Sequence, residues 1–386
     1  MRVLVSFVGG RGHLEPLLPV ARALETAGHS LLVTGQPSMG QAVLDAGFPF
    51  LATGEDLGDT GKRFPLLAYD TDREDDSLRR GFAGRTARRR ATDVFALCRY
   101  WVPDVLVCDE IDFGAMVAAE RFGVRAATVL VTAAGSFVRP EVVAPALDAL
   151  RRESGLPPDP GLAMPARDLV VAPFPPGFRD PGHPLPPTAV SIRPPGVCPA
   201  RAGGRAPPPW PVARPGAPIV YATLGTIFDT ESGDLFSRLA AGLGALPVNV
   251  LLTVGRHVRP SEVGPRPPHV HVASFVPQAG VLPHCAAVVS HGGSGTVIGA
   301  LAHGVPVVVL PLGADQDRNA GRVADLGTGL VLDPLTATPA EIGAATLRVL
   351  REPAFAGAAR ILADEAAELP GAEVVVGAVE GLASPG

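Results

Sequence analysis

A histidine and an aspartate in the N-terminal half could together remove a proton from a substrate. His13 closes the run GGRGH at 9–13, just after a predicted strand at 2–8, and Asp109 follows a predicted strand at 104–108. Parallel strands end at a common edge of their sheet, so the two side chains are expected to lie together. A carboxylate bound to one imidazole nitrogen makes the other nitrogen a better general base. A helix cap is the structural alternative for both residues. Three further acidic residues compete for the role of Asp109: Asp104, Glu110 and Asp112.

The sequence SHGGSGT at 290–296 carries the strongest chemical signal in the C-terminal half. Its three glycines follow a predicted strand at 286–290 and open a predicted helix at 294–302. Backbone N–H groups at a helix N-terminus, with Ser and Thr hydroxyls beside them, form a cradle suited to a diphosphate. The loop lacks the lysine of a P-loop, which disfavours nucleotide hydrolysis. A turn that only packs the helix on the sheet is the alternative, and TLGT at 223–226 could add donors to the same phosphates.

A carboxylate and a carboxamide, Asp315 and Gln316, come soon after a predicted strand at 305–310. This pair suits recognition of adjacent sugar hydroxyls, because one group only accepts hydrogen bonds and the other both donates and accepts. A helix cap is again the alternative. DxD triplets at 70–72 and 315–317 can hold a metal-bound sugar nucleotide in other proteins. Such triplets arise freely by chance in acidic loops, so no metal site is predicted.

The composition indicates a folded protein whose partners are small molecules. The chain has 386 residues, of which 47% are hydrophobic and 18% charged, with a net charge of -5, although it contains 45 Gly and 42 Pro. Its near-neutral charge offers no broad basic surface for nucleic acid or an anionic membrane, and the six arginines at 79–90 are interpreted as a solvated face. The four cysteines form no CxxC pair, and no apolar run is long enough for a membrane span. These features predict a cytoplasmic protein with no nucleic-acid or membrane partner.

The elements that must carry these residues alternate along the chain between short aliphatic runs and amphipathic stretches, as in βαβ units. In the first half, strands are predicted at 2–8, 29–34, 104–108 and 125–131, with helices at 14–27 and 112–122. Residues 155–218 contain 20 of the 42 prolines, which indicates a stiff connector with a few short strands. In the second half, strands are predicted at 218–223, 248–254, 269–273, 286–290 and 305–310, and helices at 233–245, 278–284, 294–302, 315–326 and 339–350.

The set of motifs resembles that of the inverting glycosyltransferases that modify natural products, the bacterial antibiotic and macrolide type within the UDP-glycosyltransferase-like superfamily. The resemblance rests on the loop with His13, on Asp109, on TLGT, and on the block from FVPQ at 275–278 through HGGSGT to ADQxxNA at 314–320. It implies an α/β fold of GT-B architecture, in which two doubly wound Rossmann-like domains face each other across a cleft. The implied divisions are an acceptor-binding domain at 1–200, a Pro-rich linker at 201–217, a nucleotide-sugar-binding domain at 218–370 and a C-terminal helix at 371–386 that packs back on the first domain.

By position in the motifs, the resemblance assigns residues to a nucleoside-diphosphate sugar donor. They are Phe275, Val276 and Gln278 for the nucleoside; Thr226, His291, Gly293, Ser294, Gly295 and Thr296 for the diphosphate; Asp315 and Gln316 for the sugar; and Gly12 for close approach of the donor to the backbone. His13, polarised by Asp109, would take the proton of an acceptor hydroxyl as the oxygen attacks and inverts the anomeric carbon. No metal and no further cofactor is implied. Phe275 replaces the tryptophan of plant relatives, which leaves UDP and dTDP donors open.

Two other functions are compatible with this two-domain pattern. A non-hydrolysing sugar-nucleotide epimerase would act on the donor alone, and a degenerate relative would serve as an auxiliary partner of an active transferase. An NAD-dependent oxidoreductase is disfavoured because the chain lacks a GxGxxG motif with a later acidic residue. The small-molecule aglycone is expected to bind loops near 55–90 and 132–150, which vary freely within a fold. Homodimer formation is left open by the sequence.

Overall fold

The computed structural model describes residues 1–57, 63–197, 210, 212–225 and 228–383, the side chains of 228 and 229 excepted. These residues form two parallel sheets, one in each half of the chain. The first has the order β3-β2-β1-β4-β5-β6-β7 and the second the order β10-β9-β8-β11-β12-β13. The strands are β1 Arg2–Ser6, β2 Ser30–Gly35, β3 Phe50–Ala52, β4 Val105–Asp109, β5 Arg125–Val129, β6 Leu169–Ala172, β7 Ala189–Ser191, β8 Ile219–Thr223, β9 Asn249–Thr253, β10 Val270–Ala273, β11 Ala287–Ser290, β12 Val307–Val309 and β13 Gly329–Val331. The predicted α/β class with two doubly wound domains is confirmed.

Helices cover the sheets, so the central strands are buried and almost wholly aliphatic. The α-helices are α1 Arg11–Leu14, α2 Leu18–Thr26, α3 Gly40–Asp45, α4 Thr71–Asp76, α5 Ala87–Tyr100, α6 Phe113–Arg121, α7 Pro140–Glu153, α8 Leu235–Gly244, α9 Ser294–Leu301, α10 Gln316–Asp325, α11 Pro339–Arg351, α12 Pro353–Glu368 and α13 Val376–Ala383. A π-helical segment, Ser77–Thr86, joins α4 to α5. Within the described ranges, no helix is both long enough and apolar enough to cross a membrane.

The strand order places the predicted chemistry at two topological switch points. In the first sheet β1 and β4 are neighbours, and in the second β8 and β11 are neighbours. A loop follows each of these strands and leads to an element on one of the two faces of the sheet. A crevice therefore opens beyond the carboxyl ends of these strands. His13 and Asp109 lie at the first crevice, and the glycine loop at 291–293 lies at the second.

Two predicted helices are wrong in detail, and proline explains both errors. The helix predicted at 14–27 is divided into α1 and α2, because Pro16 interrupts it. The helix predicted at 278–284 is two short 3₁₀ turns, Gln278–Gly280 and Leu282–His284, the second with proline in its first turn. The short strands predicted within the connector at 155–218 are present as β6 and β7, and they complete the first sheet.

The two halves are in contact through a shared apolar cluster and through the C-terminal helix. One apolar cluster combines Leu130 and Phe178 of the first half with Val297 and Leu362 of the second. The C-terminal helix α13 contacts α2, β4 and β5, and its Val379 is buried in the core of the first domain.

Of the linker predicted at 201–217, residues 201–209 and 211 lie outside the described part of the chain. The domain boundaries as drawn from the sequence stay predictions.

Candidate active site

His13 is held at the first crevice by the turn that precedes it. Gly9 has a φ of 92°, which a residue with a side chain rarely adopts, and a Cβ there would lie 3.1 Å from Cδ2 of His13. The backbone therefore approaches the imidazole closely. His13 Nδ1 lies 3.6 Å from Oδ2 of Asp109, an ion-pair distance slightly longer than a hydrogen bond. The side chain of His13 is 18% exposed, so the ring can still reach a substrate in the crevice.

Asp109 is the acidic residue that faces His13, and its own hydrogen bonds fix it. The side chain is fully buried. Its Oδ2 accepts the N–H of Val8 at 2.7 Å and its Oδ1 accepts the N–H of Ile111 at 2.8 Å. Buried backbone donors of this kind hold the carboxylate in one orientation.

The three competing acidic residues have other partners. Asp104 accepts the N–H of Arg2 at the opposite end of β4. Glu110 accepts the N–H groups of Val131 and Thr132. Asp112 is buried against Arg90 and caps α6. Of the four acidic residues, Asp109 is therefore the one that faces His13, as its position at the end of β4 predicts.

The electrostatic surroundings of His13 favour its protonated form. Burial alone lowers the pKa of the imidazole, but Asp109, and more weakly Asp315 and Glu110, outweigh burial and raise the pKa above its ordinary value. Asp315 belongs to the C-terminal half, so acidic groups of both domains act on the same ring. A base with a raised pKa accepts a proton more readily, at the cost of being neutral only at higher pH.

We predict that Asp109→Asn changes the pH dependence of turnover in a defined direction. A base must be neutral to act, so wild-type kcat/KM should fall as pH drops through the raised pKa of His13. Removing the charge of Asp109 lowers that pKa, and the acidic limb of the profile should move to lower pH while the plateau falls. The measurement is kcat/KM between about pH 5 and 9. An unmoved acidic limb would show that Asp109 does not tune the base.

The glycine loop at 291–293 closely encloses the ring of His291. A Cβ at Gly293 would lie 2.6 Å from Nε2 of that ring, and one at Gly225 would lie at the same distance. Gly292 has a φ of 94°, and a Cβ there would lie 2.7 Å from Cγ1 of Val309. Burial lowers the pKa of His291 to about 4, so the ring is neutral near pH 7 and can offer a hydrogen bond but no charge. Positive potential must come from the N-terminus of α9.

We predict that Gly293→Ala weakens binding of a nucleoside diphosphate and destabilises the C-terminal half by roughly 1–3 kcal/mol, because the added methyl group collides with His291. Gly295→Ala is the matched control for stability, since a Cβ at Gly295 meets no atom within 4 Å. Thermal unfolding with and without dTDP or UDP measures both effects. Equal melting temperatures for the two variants would contradict this account of the loop.

Ser294 and Asp315 form one hydrogen-bonded group that joins the two domains. Ser294 Oγ donates to Oδ2 of Asp315 at 2.6 Å and accepts the N–H of Ala133 at 2.8 Å. Asn319 Nδ2 donates to the same carboxylate oxygen at 2.9 Å, and its Oδ1 accepts the N–H of Ala134. Burial raises the pKa of Asp315, although these hydrogen bonds oppose the rise. Asn319 is the asparagine of the ADQxxNA motif, to which the sequence assigned no role, and it lies one helical turn after Asp315.

Gln316 is buried, and its Oε1 accepts the N–H groups of Leu312 and Gly313. Its oxygen orders the loop before α10, which leaves the amide NH₂ group as the part that could read a sugar hydroxyl.

One of the three predicted nucleoside residues contacts the first turn of α9, because Gln278 Nε2 donates to Oγ1 of Thr296 at 2.9 Å. Phe275 is 49% exposed, and the guanidinium carbon of Arg11 lies 5.0 Å from its ring centroid. Val276 packs against the apolar cluster that joins the halves. An exposed aromatic ring suits stacking with a base. Gly12 has open space beside its Cα, while Thr226 lies outside the described residues.

The DxD triplets have local explanations. Asp70 caps α4 by accepting the N–H groups of Asp72 and Arg73. The carboxylate of Asp315 accepts hydrogen bonds from Ser294 and Asn319. Asp317 pairs with Arg318 on the exposed side of α10. Among the described residues, no group of three or more His, Cys, Asp or Glu side chains is arranged to hold a metal ion. Metal independence stays a prediction.

Comparison with known proteins agrees with this geometry. Residues 237–382 match the family model described as Erythromycin biosynthesis protein CIII-like, C-terminal domain. The chain is 33% identical to L-demethylnoviosyl transferase of Streptomyces niveus, over 100% of this chain and 98% of the relative. It is 29% identical to Aclacinomycin-T 2-deoxy-L-fucose transferase of Streptomyces galilaeus, over 92% and 90% of the two chains. The crystal structure of glycosyltransferase VinC in complex with dTDP superposes with a TM-score of 0.75 at 26% identity, covering 99% of both chains.

Proposed function

The chain belongs to the natural-product glycosyltransferases, and from that premise we propose that it transfers a deoxysugar from a dTDP- or UDP-linked donor to a hydroxyl of a small-molecule aglycone, with inversion and with His13 as the base. Its place among the glycosyltransferases rests on the full-length similarity to the transferase of Streptomyces niveus. The observation that carries the proposed chemistry is the His13 ring, oriented by Asp109 and within electrostatic reach of Asp315 in the other domain.

The proposed mechanism assigns one task to each part of the crevice. His13 removes the proton of the acceptor hydroxyl as its oxygen attacks the anomeric carbon from the face opposite the diphosphate. The C–O bond to the diphosphate breaks in the same step, so the configuration inverts. The negative charge that develops on the leaving group is met by the first N–H groups of α9, preorganised at Gly293 and Ser294. The imidazolium that forms is stabilised by the buried carboxylate of Asp109.

The donor is proposed from the relatives. VinC was crystallised with dTDP, and one relative is named for transfer of 2-deoxy-L-fucose. A dTDP-linked deoxysugar is therefore the first donor to test, with the UDP-linked sugars as the alternative. Phe275 supports stacking of either pyrimidine and does not by itself distinguish them.

A panel of dTDP- and UDP-linked sugars tests the proposal, first by thermal shift and then by product formation with candidate aglycones. A ligand that binds only the folded protein raises its melting temperature. We expect a shift with the preferred donor and, with the right acceptor, a glycoside of inverted anomeric configuration. Formation of a C2 epimer from the donor alone would indicate an epimerase instead. Absence of any shift, together with binding to a partner transferase, would indicate an auxiliary protein.

A further inference from the structure

A segment of the N-terminal half lies along the C-terminal half close to the predicted sugar site. This segment, residues 63–76, is here called the strap. Phe64 N–H donates to the carbonyl of Thr230 at 2.7 Å. Leu66 packs against the core of the C-terminal half, and the hydroxyl of Tyr69 accepts from Arg318 at 2.6 Å. The strap falls within the region 55–90 that the sequence assigned to the acceptor, yet its contacts here are with the donor domain.

The last turn of the strap reaches the loop that carries Asp315. Glu74 Oε2 accepts the N–H of Ala314 at 3.0 Å, and the side chain of Glu74 is only 14% exposed. A hydrogen bond with an ionised acceptor, shielded from water, is stronger than one between neutral groups. The bond links two residues 240 positions apart in the chain, so it exists only when the strap is docked.

Ala314 is held in a conformation that alanine ordinarily avoids. Its φ is 55°, in the left-handed region, and such a residue persists only where its surroundings impose the conformation. On the inner side of the loop, Gln316 holds the N–H groups of Leu312 and Gly313. On the outer side, Glu74 holds the next N–H along the chain. The orientation of Asp315, which follows this turn, therefore depends on both Gln316 and Glu74.

We propose that Glu74 is a positioning residue for the donor sugar, acting through the Ala314 N–H on Asp315. This inference rests on the proposed function, because it assumes that Asp315 binds the sugar. It implies that the sugar site is completed by a residue of the N-terminal half, and that the effect passes through the Glu74–Ala314 hydrogen bond. The nucleoside and diphosphate subsites lie on other loops, so they should depend on Glu74 much less than the sugar subsite does.

The test compares a sugar nucleotide with the nucleotide alone. Titration calorimetry with dTDP-glucose and dTDP, or with UDP-glucose and UDP if the wild type prefers them, separates the sugar subsite from the rest. Glu74→Ala should weaken the sugar nucleotide by about tenfold, as expected for loss of one charge-assisted hydrogen bond, and leave the nucleoside diphosphate within about twofold. In turnover assays the donor KM should rise while the acceptor KM stays unchanged.

Two further variants separate positioning from general docking of the strap. Glu74→Gln keeps an amide oxygen that accepts the Ala314 N–H, so it should recover most of the lost affinity. Tyr69→Phe removes a different side-chain hydrogen bond of the strap, to Arg318, without touching Ala314, so it should bind the sugar nucleotide like the wild type.

Several results would overturn the inference. Unchanged sugar-nucleotide affinity in Glu74→Ala, an equal loss with dTDP, or an equal loss in Tyr69→Phe would each do so. Failure of the proposed function is distinguishable, because the wild type itself would then bind none of the sugar nucleotides.

Discussion

Replacing His13 with alanine should lower kcat by about 10²- to 10⁴-fold, the usual contribution of a positioned general base. The nucleotide should still bind, because the diphosphate loop and Phe275 lie on the other domain. Asp109 keeps the N–H groups of Val8 and Ile111 as partners, so the variant does not leave that buried carboxylate unsatisfied. Single-turnover assays with the preferred donor, together with calorimetric titration of dTDP, measure chemistry and binding separately.

His271→Ala provides the matched control for this experiment. His271 lies on β10, the edge strand of the second sheet, away from the crevice. Its replacement should leave turnover unchanged. Turnover of His13→Ala within about threefold of the wild type would rule out the base role, since even a modest general base contributes about 10²-fold.

Replacing Arg90 with alanine should reduce the free energy of unfolding by about 3–5 kcal/mol, because it leaves a buried carboxylate without its counter-charge. Arg90 is 3% exposed and Asp112 is fully buried. The guanidinium contacts both carboxylate oxygens and also donates to Ser6 Oγ at 2.7 Å, at the end of β1. Arg90→Lys should also destabilise the protein, because an ammonium group cannot reproduce the planar fork. Equilibrium denaturation in urea measures the loss.

The control lies two residues earlier on the same helix. Arg88 pairs with Glu153 at the surface, and both side chains are about half exposed. Exposed pairs contribute little to stability, so Arg88→Ala should unfold at the urea concentration of the wild type. Equal losses of unfolding free energy in the two variants would show that the buried pair of Arg90 and Asp112 does not hold α5 against β1 and the start of α6.

Sequence reasoning located the candidate site because its signals are local. The glycine loop before α9 and the GGRGH loop before α1 are short motifs that follow strands, and strands are visible as aliphatic runs. Proline explains where the same reasoning failed within elements, as at 278–284, since it removes the N–H that an α-helix needs. The ADQxxNA motif contains Asn319, but the motif alone does not show that this side chain binds both Asp315 and the other domain.

Other features depend on segments that are distant in the chain. The interpretation of the arginines at 79–90 as a solvated face holds for the other five, which are at the surface, but is wrong for Arg90, whose burial depends on α5 packing against α6. Similarly, composition gave no reason to expect that 63–76 would dock on the donor domain.

Local patterns in the sequence suffice to predict the two α/β domains, the sheet edges at which the candidate site lies, and the residue types available there. Periodicity and glycine placement encode these properties within a few residues. The pairing of Arg90 with Asp112 and that of Ala314 with Glu74 across the domains are visible only in the folded protein. These pairings depend on how separate elements pack, because burial and long-range partners arise from contacts that no local pattern contains.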